Sequence, residues 1–146
     1  FYFWLMHFPV YLTPQGQEIL NTLISAKFRI QENMEFCKSK NLFGYNNAPK
    51  QIVICTSNIV NRGYNPYQYV NETLYHESVH SAQYCKGLKP LGIPKSQMSL
   101  PPNKLQDVKN SMKATGNINS RNLEYEACWL EDKPEQINYY LRKFCF

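Results

Sequence analysis

The sequence has no CxxC pair, no glycine-rich phosphate loop, no zinc-knuckle spacing and no RNA-binding aromatic signature. Each absence removes a class. Without close cysteine pairs, a zinc ribbon or dithiol redox centre is not expected, and without the other motifs nucleotide and nucleic-acid binding have no local anchor. Charge blocks are missing too: the 16 basic and 11 acidic residues are scattered, so the net charge of +5 bears on solubility and gives nucleic acid little to recognise. No apolar run approaches the roughly 18 residues that span a bilayer. The most apolar stretch, Phe1 to Leu12, is interrupted by His7 and Pro9 and reads as a buried strand, or as a surface for joining a larger assembly. No internal repeat is present, and histidine is scarce, with three in the chain.

What is present suits one folded unit. A length of 146 residues is enough for a single core and short for two, so residues 1–146 are read as one domain. Apolar content of 43%, with 14% aromatics, lies far from the composition of disordered chains. The five cysteines allow two disulfides and one free thiol in an oxidising compartment, with Cys37–Cys55 and Cys85–Cys145 as the expected pairs. In a reducing compartment all five serve as small buried apolar residues.

Capping signals divide the chain. Thr13 before Pro14 opens a helix whose apolar spacing, through Ile19, Leu23, Phe28 and Ile30, predicts a run to about Cys37. Lys38 to Lys50 reads as a loop, and the β-branched run in Gln51 to Thr56 as a strand able to offer an edge to an extended peptide. Asn65 before Pro66 repeats the capping signal, and nothing breaks a helix from Tyr67 to about Cys85, where Gly87 supplies a stop. Residues 86–103, with four prolines and two glycines, form a connector of the kind that often serves as a lid. A polar helix from about Asn103 should fail at Gly116, Ser120 should cap a helix reaching about Glu131, and Asp132 with Glu135 is spaced as a capping box for a last helix.

Two of the three histidines fall in the second of these helices, as His76-Glu77-Ser78-Val79-His80. This is HExxH. A separation of four residues places both imidazoles on one helix face, a turn apart, where they can share an ion. Chance would place two of three histidines around a glutamate in this way in roughly one shuffled sequence in five hundred. Zinc suits the pair because it accepts imidazole and carboxylate in a tetrahedral shell and, at catalytic sites, keeps a position for water. Glu77, next to the first ligand, is then placed to act as general base while zinc brings the water's pKa towards about 7.

A third protein donor must be a carboxylate, since no histidine lies beyond His80 and the HExxHxxGxxH pattern is thereby excluded. Glu124, Glu126, Glu131, Asp132 and Glu135 cluster in the late helices. Glu124 and Glu126 lie about 200 degrees apart around a helix, so both cannot face one ion.

HExxH followed by the helical string Glu124-Tyr125-Glu126-Ala127 resembles the gluzincin type of zinc peptidase. The same two-part pattern occurs in CAAX-prenyl endopeptidases and their bacterial membrane relatives, in repressor-cleaving peptidases of mobile elements, and in mitochondrial inner-membrane processing peptidases. The likeness covers roughly Ile52 to Leu130. It implies His76, His80 and Glu124 as ligands of one Zn2+, Glu77 as the catalytic base, and Ala127 as the small residue that lets two helices close. Cys128 departs from the pattern, which carries Asp or Asn there to orient a ligand imidazole, a task for which a thiol is a weak partner.

The expected fold is therefore α+β, mostly helical, with a small sheet beside the HExxH helix in a zincin-like arrangement. The expected activity is hydrolysis of peptide bonds in a peptide or protein substrate. A non-catalytic protein in which zinc stabilises a binding or assembly surface is the alternative. Tyr139, Tyr140, Arg121 and His7 are candidates for stabilising an oxyanion, with none singled out.

Overall fold

In a computed structural model of the chain, residues 7–47, 49–114 and 120–146 are described. The fold is α+β and mostly helical, with one three-stranded sheet. Helix α1 spans Pro14–Ser25, and its cap is the one foreseen: the Thr13 hydroxyl accepts from the Gly16 amide at 3.1 Å. The helix stops twelve residues short of Cys37, because the chain turns out through Lys27 in the left-handed region and the Phe28 amide closes on the Leu23 carbonyl. Phe28 and Ile30 suit alternation as well as helical spacing, and Ile30 lies in strand β1, Arg29–Glu32.

The stretch expected to be a loop contains structure on both sides of Lys38. A short helix α2, Glu35–Ser39, precedes strand β2, Gly44–Asn47, and strand β3, Gln51–Ile54, follows. β3 is the central strand, parallel to β1 on one side and antiparallel to β2 on the other. Every β3 residue is buried. It therefore has no free edge, and the outer strands of the sheet are β1 and β2. Thr56, expected to end the strand, begins helix α3, Thr56–Asn61.

Helix α4, Pro66–Cys85, carries the HExxH segment and packs against β2, β3, α1 and α3. The Asn65 side chain caps its start by accepting from the Tyr67 amide at 2.9 Å, and left-handed Gly87 ends it, with the Leu88 amide on the Gln83 carbonyl. Leu74 and Val79 are completely buried and together with Ile52, Ile54, Leu20 and Leu23 form the core around it. Full burial of such a side chain contributes about 1.5–3 kcal/mol.

Helices α5 (Pro102–Ala114), α6 (Arg121–Leu130) and α7 (Pro134–Cys145) complete the fold. The Ser120 hydroxyl caps α6, accepting from the Leu123 amide. The capping box expected for α7 does not form: Lys133 occupies the cap position without a side-chain hydrogen bond, and Asp132 pairs with Lys133 instead. Gly116 lies outside the described residues. Of the apolar N-terminal segment, Phe8–Tyr11 forms a 3-10 helix where a strand was expected, because Pro9 sits at its start and the His7 and Phe8 amides are satisfied by the Glu32 carboxylate. Residues 1–6 of that segment lie outside the described residues.

The disulfides are Cys37–Cys55 and Cys85–Cys145, and Cys128 is free and buried. The second ties the end of α4 to the end of α7. No helix among the described residues is long and apolar enough to cross a membrane.

Candidate metal centre

Helices α4 and α6 face one another across the site, and Ala127 on α6 is fully buried in the core. From α4, Nε2 of His76 and Nε2 of His80 approach the same oxygen of Glu124 on α6, at 3.2 and 3.1 Å. Glu124 is 1% exposed.

The outer nitrogens of both rings are also engaged. Nδ1 of His80 lies 2.7 Å from Oε1 of Gln83. The Gln83 amide nitrogen donates to the Leu123 carbonyl at 3.1 Å and to Glu126 at 2.8 Å, so its oxygen must be the atom facing His80, and Nδ1 of His80 must carry the proton. Nδ1 of His76 lies 2.8 Å from Glu131, whose other oxygen pairs with Lys104. Each ring thus presents both nitrogens to acceptors. That arrangement calls for a cation, either a second proton on the ring or a metal ion between Nε2 and Glu124.

The spacing fits a metal. Ligands about 2.1 Å from a tetrahedral zinc lie about 3.4 Å from one another, close to the nitrogen–oxygen separations here. His76, Cys128 and Glu131 form a second group with donor atoms within 4.8 Å of one another, sharing His76 with the first. Burial pushes the Cys128 thiol up, against the pull of His76, and so disfavours the thiolate that a metal would need.

Electrostatics follow the same geometry. Burial opposes charge on His76, but its hydrogen bonds to Cys128, Glu124 and Glu131 and the nearby Glu77 carboxylate raise its pKa well above 6.5. Burial would raise Glu124, yet its bonds to His76 and His80 bring it below the usual carboxylate range. Glu131 is lowered against its burial by His76 and Lys104. Burial raises Glu77, with His76 and His80 pulling the other way. Burial and the Glu131 and Asp107 carboxylates push Glu72 up to about 7, with Lys104 opposing.

A cleft of about 580 Å³ opens beside this group, with His76, Glu77, Cys128 and Glu131 in its floor. Strand β2 lines one side through Gly44, and α5 lines another through Lys104 and Asp107. Asn46 on β2 donates to the Glu77 carbonyl at 2.9 Å and to the Ser81 hydroxyl at 3.0 Å, fixing the strand to the helix at the residue that faces the cleft.

The remaining candidates lie elsewhere. Both oxygens of Glu126 accept from the Leu91 amide at 3.0 Å, and Glu126 also takes the Gln83 bond, so it anchors the 86–103 connector. That connector is further held by the Tyr125 hydroxyl on the Met98 carbonyl, and Asn103 is the part of it that lines the cleft. Asp132 and Glu135 are exposed. Tyr139, Tyr140, Arg121 and His7 are absent from the cleft lining, which has Tyr64 and Tyr69 instead. Sequence reasoning missed Gln83 and gave Glu131 only a rival ligand's part. Their spacings, three residues beyond His80 and three beyond Cys128, were the available signal.

The sequence model of one family, described as a domain of unknown function, DUF8637, matches residues 8–146. The chain belongs to the DUF8637 family. No curated protein and no solved structure matches it. The DUF8637 match spans the sheet, the HExxH helix and all of α6, so the two sides of the candidate centre lie within one family domain.

Proposed function

We propose that the chain is a zinc-dependent metallopeptidase of zincin-like architecture, in which His76, His80 and Glu124 hold one Zn2+ and Glu77 is the general base. The observation that carries this reading is the meeting of two Nε2 atoms on one Glu124 oxygen, with both Nδ1 atoms already committed to acceptors. Zinc would supply Lewis acidity there, bringing the pKa of water towards about 7.

The protein's own groups supply the rest. Glu77, 8% exposed and facing the cleft, has a raised pKa that brings it nearer the working range of a base. Its carboxylate can take a proton from the attacking water and return it to the leaving amine. Gln83 and Glu131 hold the two rings in orientation. The β2 edge runs beside Glu77, where an extended peptide can pair with it. Two disulfides already cross-link the fold, which removes the need for a metal staple and favours the enzymatic reading over the structural one.

The test is cleavage of an unstructured, casein-like substrate by the zinc-loaded chain and by Glu77→Gln. The wild type should cleave, and Glu77→Gln should lose activity by at least about a hundredfold while keeping its metal. A variant as active as wild type would remove Glu77 from the chemistry.

A further inference from the structure

Four of the chain's 11 acidic residues line the cleft, namely Glu72, Glu77, Asp107 and Glu131, against one of its 16 basic residues, Lys104. A protein with a net charge of +5 has thus gathered acid around one cavity. Lys104 is engaged with Glu131. A divalent ion and Lys104 together offset Glu77, Glu124 and Glu131, which leaves Glu72 and Asp107 uncompensated on the cleft wall.

The cleft lining is also aromatic. Phe43, Tyr64 and Tyr69 all line the cleft and pack edge to face, with ring centroids 4.9 Å (Phe43–Tyr64), 5.6 Å (Phe43–Tyr69) and 5.3 Å (Tyr64–Tyr69) apart. Tyr69 and Glu72 are three residues apart on α4 and so share a helix face. Glu77, 8% exposed, lines the same cavity, and its carboxylate receives no hydrogen bond among the described residues, so the cavity also holds a buried acceptor open to a ligand. Aromatic faces beside carboxylates suit a side chain with an aliphatic stem and a cationic head.

We propose that the cleft recognises an extended peptide through a lysine or arginine side chain, whose charged head is received by Glu72 and Asp107 and whose stem lies against Phe43, Tyr64 and Tyr69. That the ligand is a peptide rests on the peptidase reading; the preference for a cation rests on the cleft itself.

The test uses fluorescein-labelled nine-residue peptides of alanine, glycine and serine with one central Arg, Gln or Glu. Binding is followed by anisotropy, with wild type held in chelator and with zinc-loaded Glu77→Gln, neither of which should cleave. The Arg peptide should bind about tenfold more tightly than the Glu peptide in both proteins, with Gln between. Glu72→Gln and Asp107→Asn, at side chains that reach solvent, should each cut that preference about three- to fivefold, and Asp107→Lys should cut it further. Equal binding of the three peptides, no binding of the Arg peptide, or a preference that ignores both carboxylates would overturn the proposal. A preference found in a chain that cleaves nothing would discard the peptidase reading and leave the subsite. Cleavage indifferent to charge would do the reverse.

Discussion

Glu131 stands 2.8 Å from Nδ1 of His76, reaching the ring from three residues beyond Cys128, the position at which gluzincin-like sequences carry Asp or Asn to orient a ligand imidazole. The Cys128 thiol also reaches His76, but the Glu131 carboxylate is the stronger partner for an imidazole N–H. Outer carboxylates of this kind typically change metal affinity by about 10- to 100-fold. Glu131→Ala should therefore weaken zinc binding by that order, while Cys128→Ser should shift it by less than about threefold, as read by competition with a chromogenic chelator. The opposite ranking would move the ion to the group built on Cys128.

Protons and zinc compete for His76. In the metal-free protein its raised pKa gives stability that is fully present below the ordinary 6.5 and is lost as the pH rises through the folded value. Glu77 and Glu72, also raised, act in the same direction from their ordinary 4.5 upward. Glu124 and Glu131 are lowered, so their contribution is present above 4.5 and lost as the pH falls through their folded values. The raised and lowered groups together place the site's largest contribution to the metal-free fold near pH 4.5, with a decline as the pH rises through about 7. Zinc must displace the His76 proton, so the rise in Tm on adding zinc should grow from pH 6 to pH 8. A zinc effect on Tm that does not vary with pH would contradict this.

Gly44 sets how closely β2 approaches α4. A β-carbon there would lie 2.5 Å from the Thr73 methyl and 2.8 Å from the Val53 carbonyl, and the latter is backbone that cannot step aside. Gly44→Ala should destabilise the fold by about 1–3 kcal/mol and lift the strand from the helix. Denaturant unfolding measures the first. Weaker hydrogen-exchange protection of β2 amides relative to β1 would show the second.

The Cys85–Cys145 disulfide closes a separation of 60 residues and tethers the HExxH helix at its C-terminal end. On loop-entropy grounds its loss costs about 4 kcal/mol, against about 3 kcal/mol for Cys37–Cys55. Cys85→Ser with Cys145→Ser should lower the midpoint of chemical unfolding more than the paired change at Cys37 and Cys55. Equal effects would place the larger contribution in local strain or residual unfolded structure.

Local signals were enough for parts of this architecture and insufficient for others. Thr13, Asn65 and Ser120 each announced a helix start because the cap is a hydrogen bond to the next turn, fixed by nearby sequence. The HExxH pair and the Glu124 string likewise depend on helical spacing alone. The end of α1 was hidden because Lys27, with no glycine to mark it, takes the left-handed turn, and Phe28 and Ile30 satisfy two periods at once. Strand β2 was hidden in a polar stretch, since Gly44–Asn47 is a strand by virtue of pairing with β3 and of the Asn46 bonds to α4, which are tertiary facts. Which carboxylate orients which histidine depended on the distance between α4 and α6, and Gln83 carries no signal until Leu123 and Glu126 are seen to fix its amide.

Whether His76, His80 and Glu124 hold zinc is decided by the metal content of purified wild type, His80→Ala and Glu124→Ala after equilibration with zinc, with folding of each checked by circular dichroism. Wild type should hold one zinc per chain, and each variant should lose at least about a hundredfold in affinity. A well-folded wild type that takes up no zinc, or a Glu124→Ala variant that holds it as tightly as wild type, would contradict that assignment.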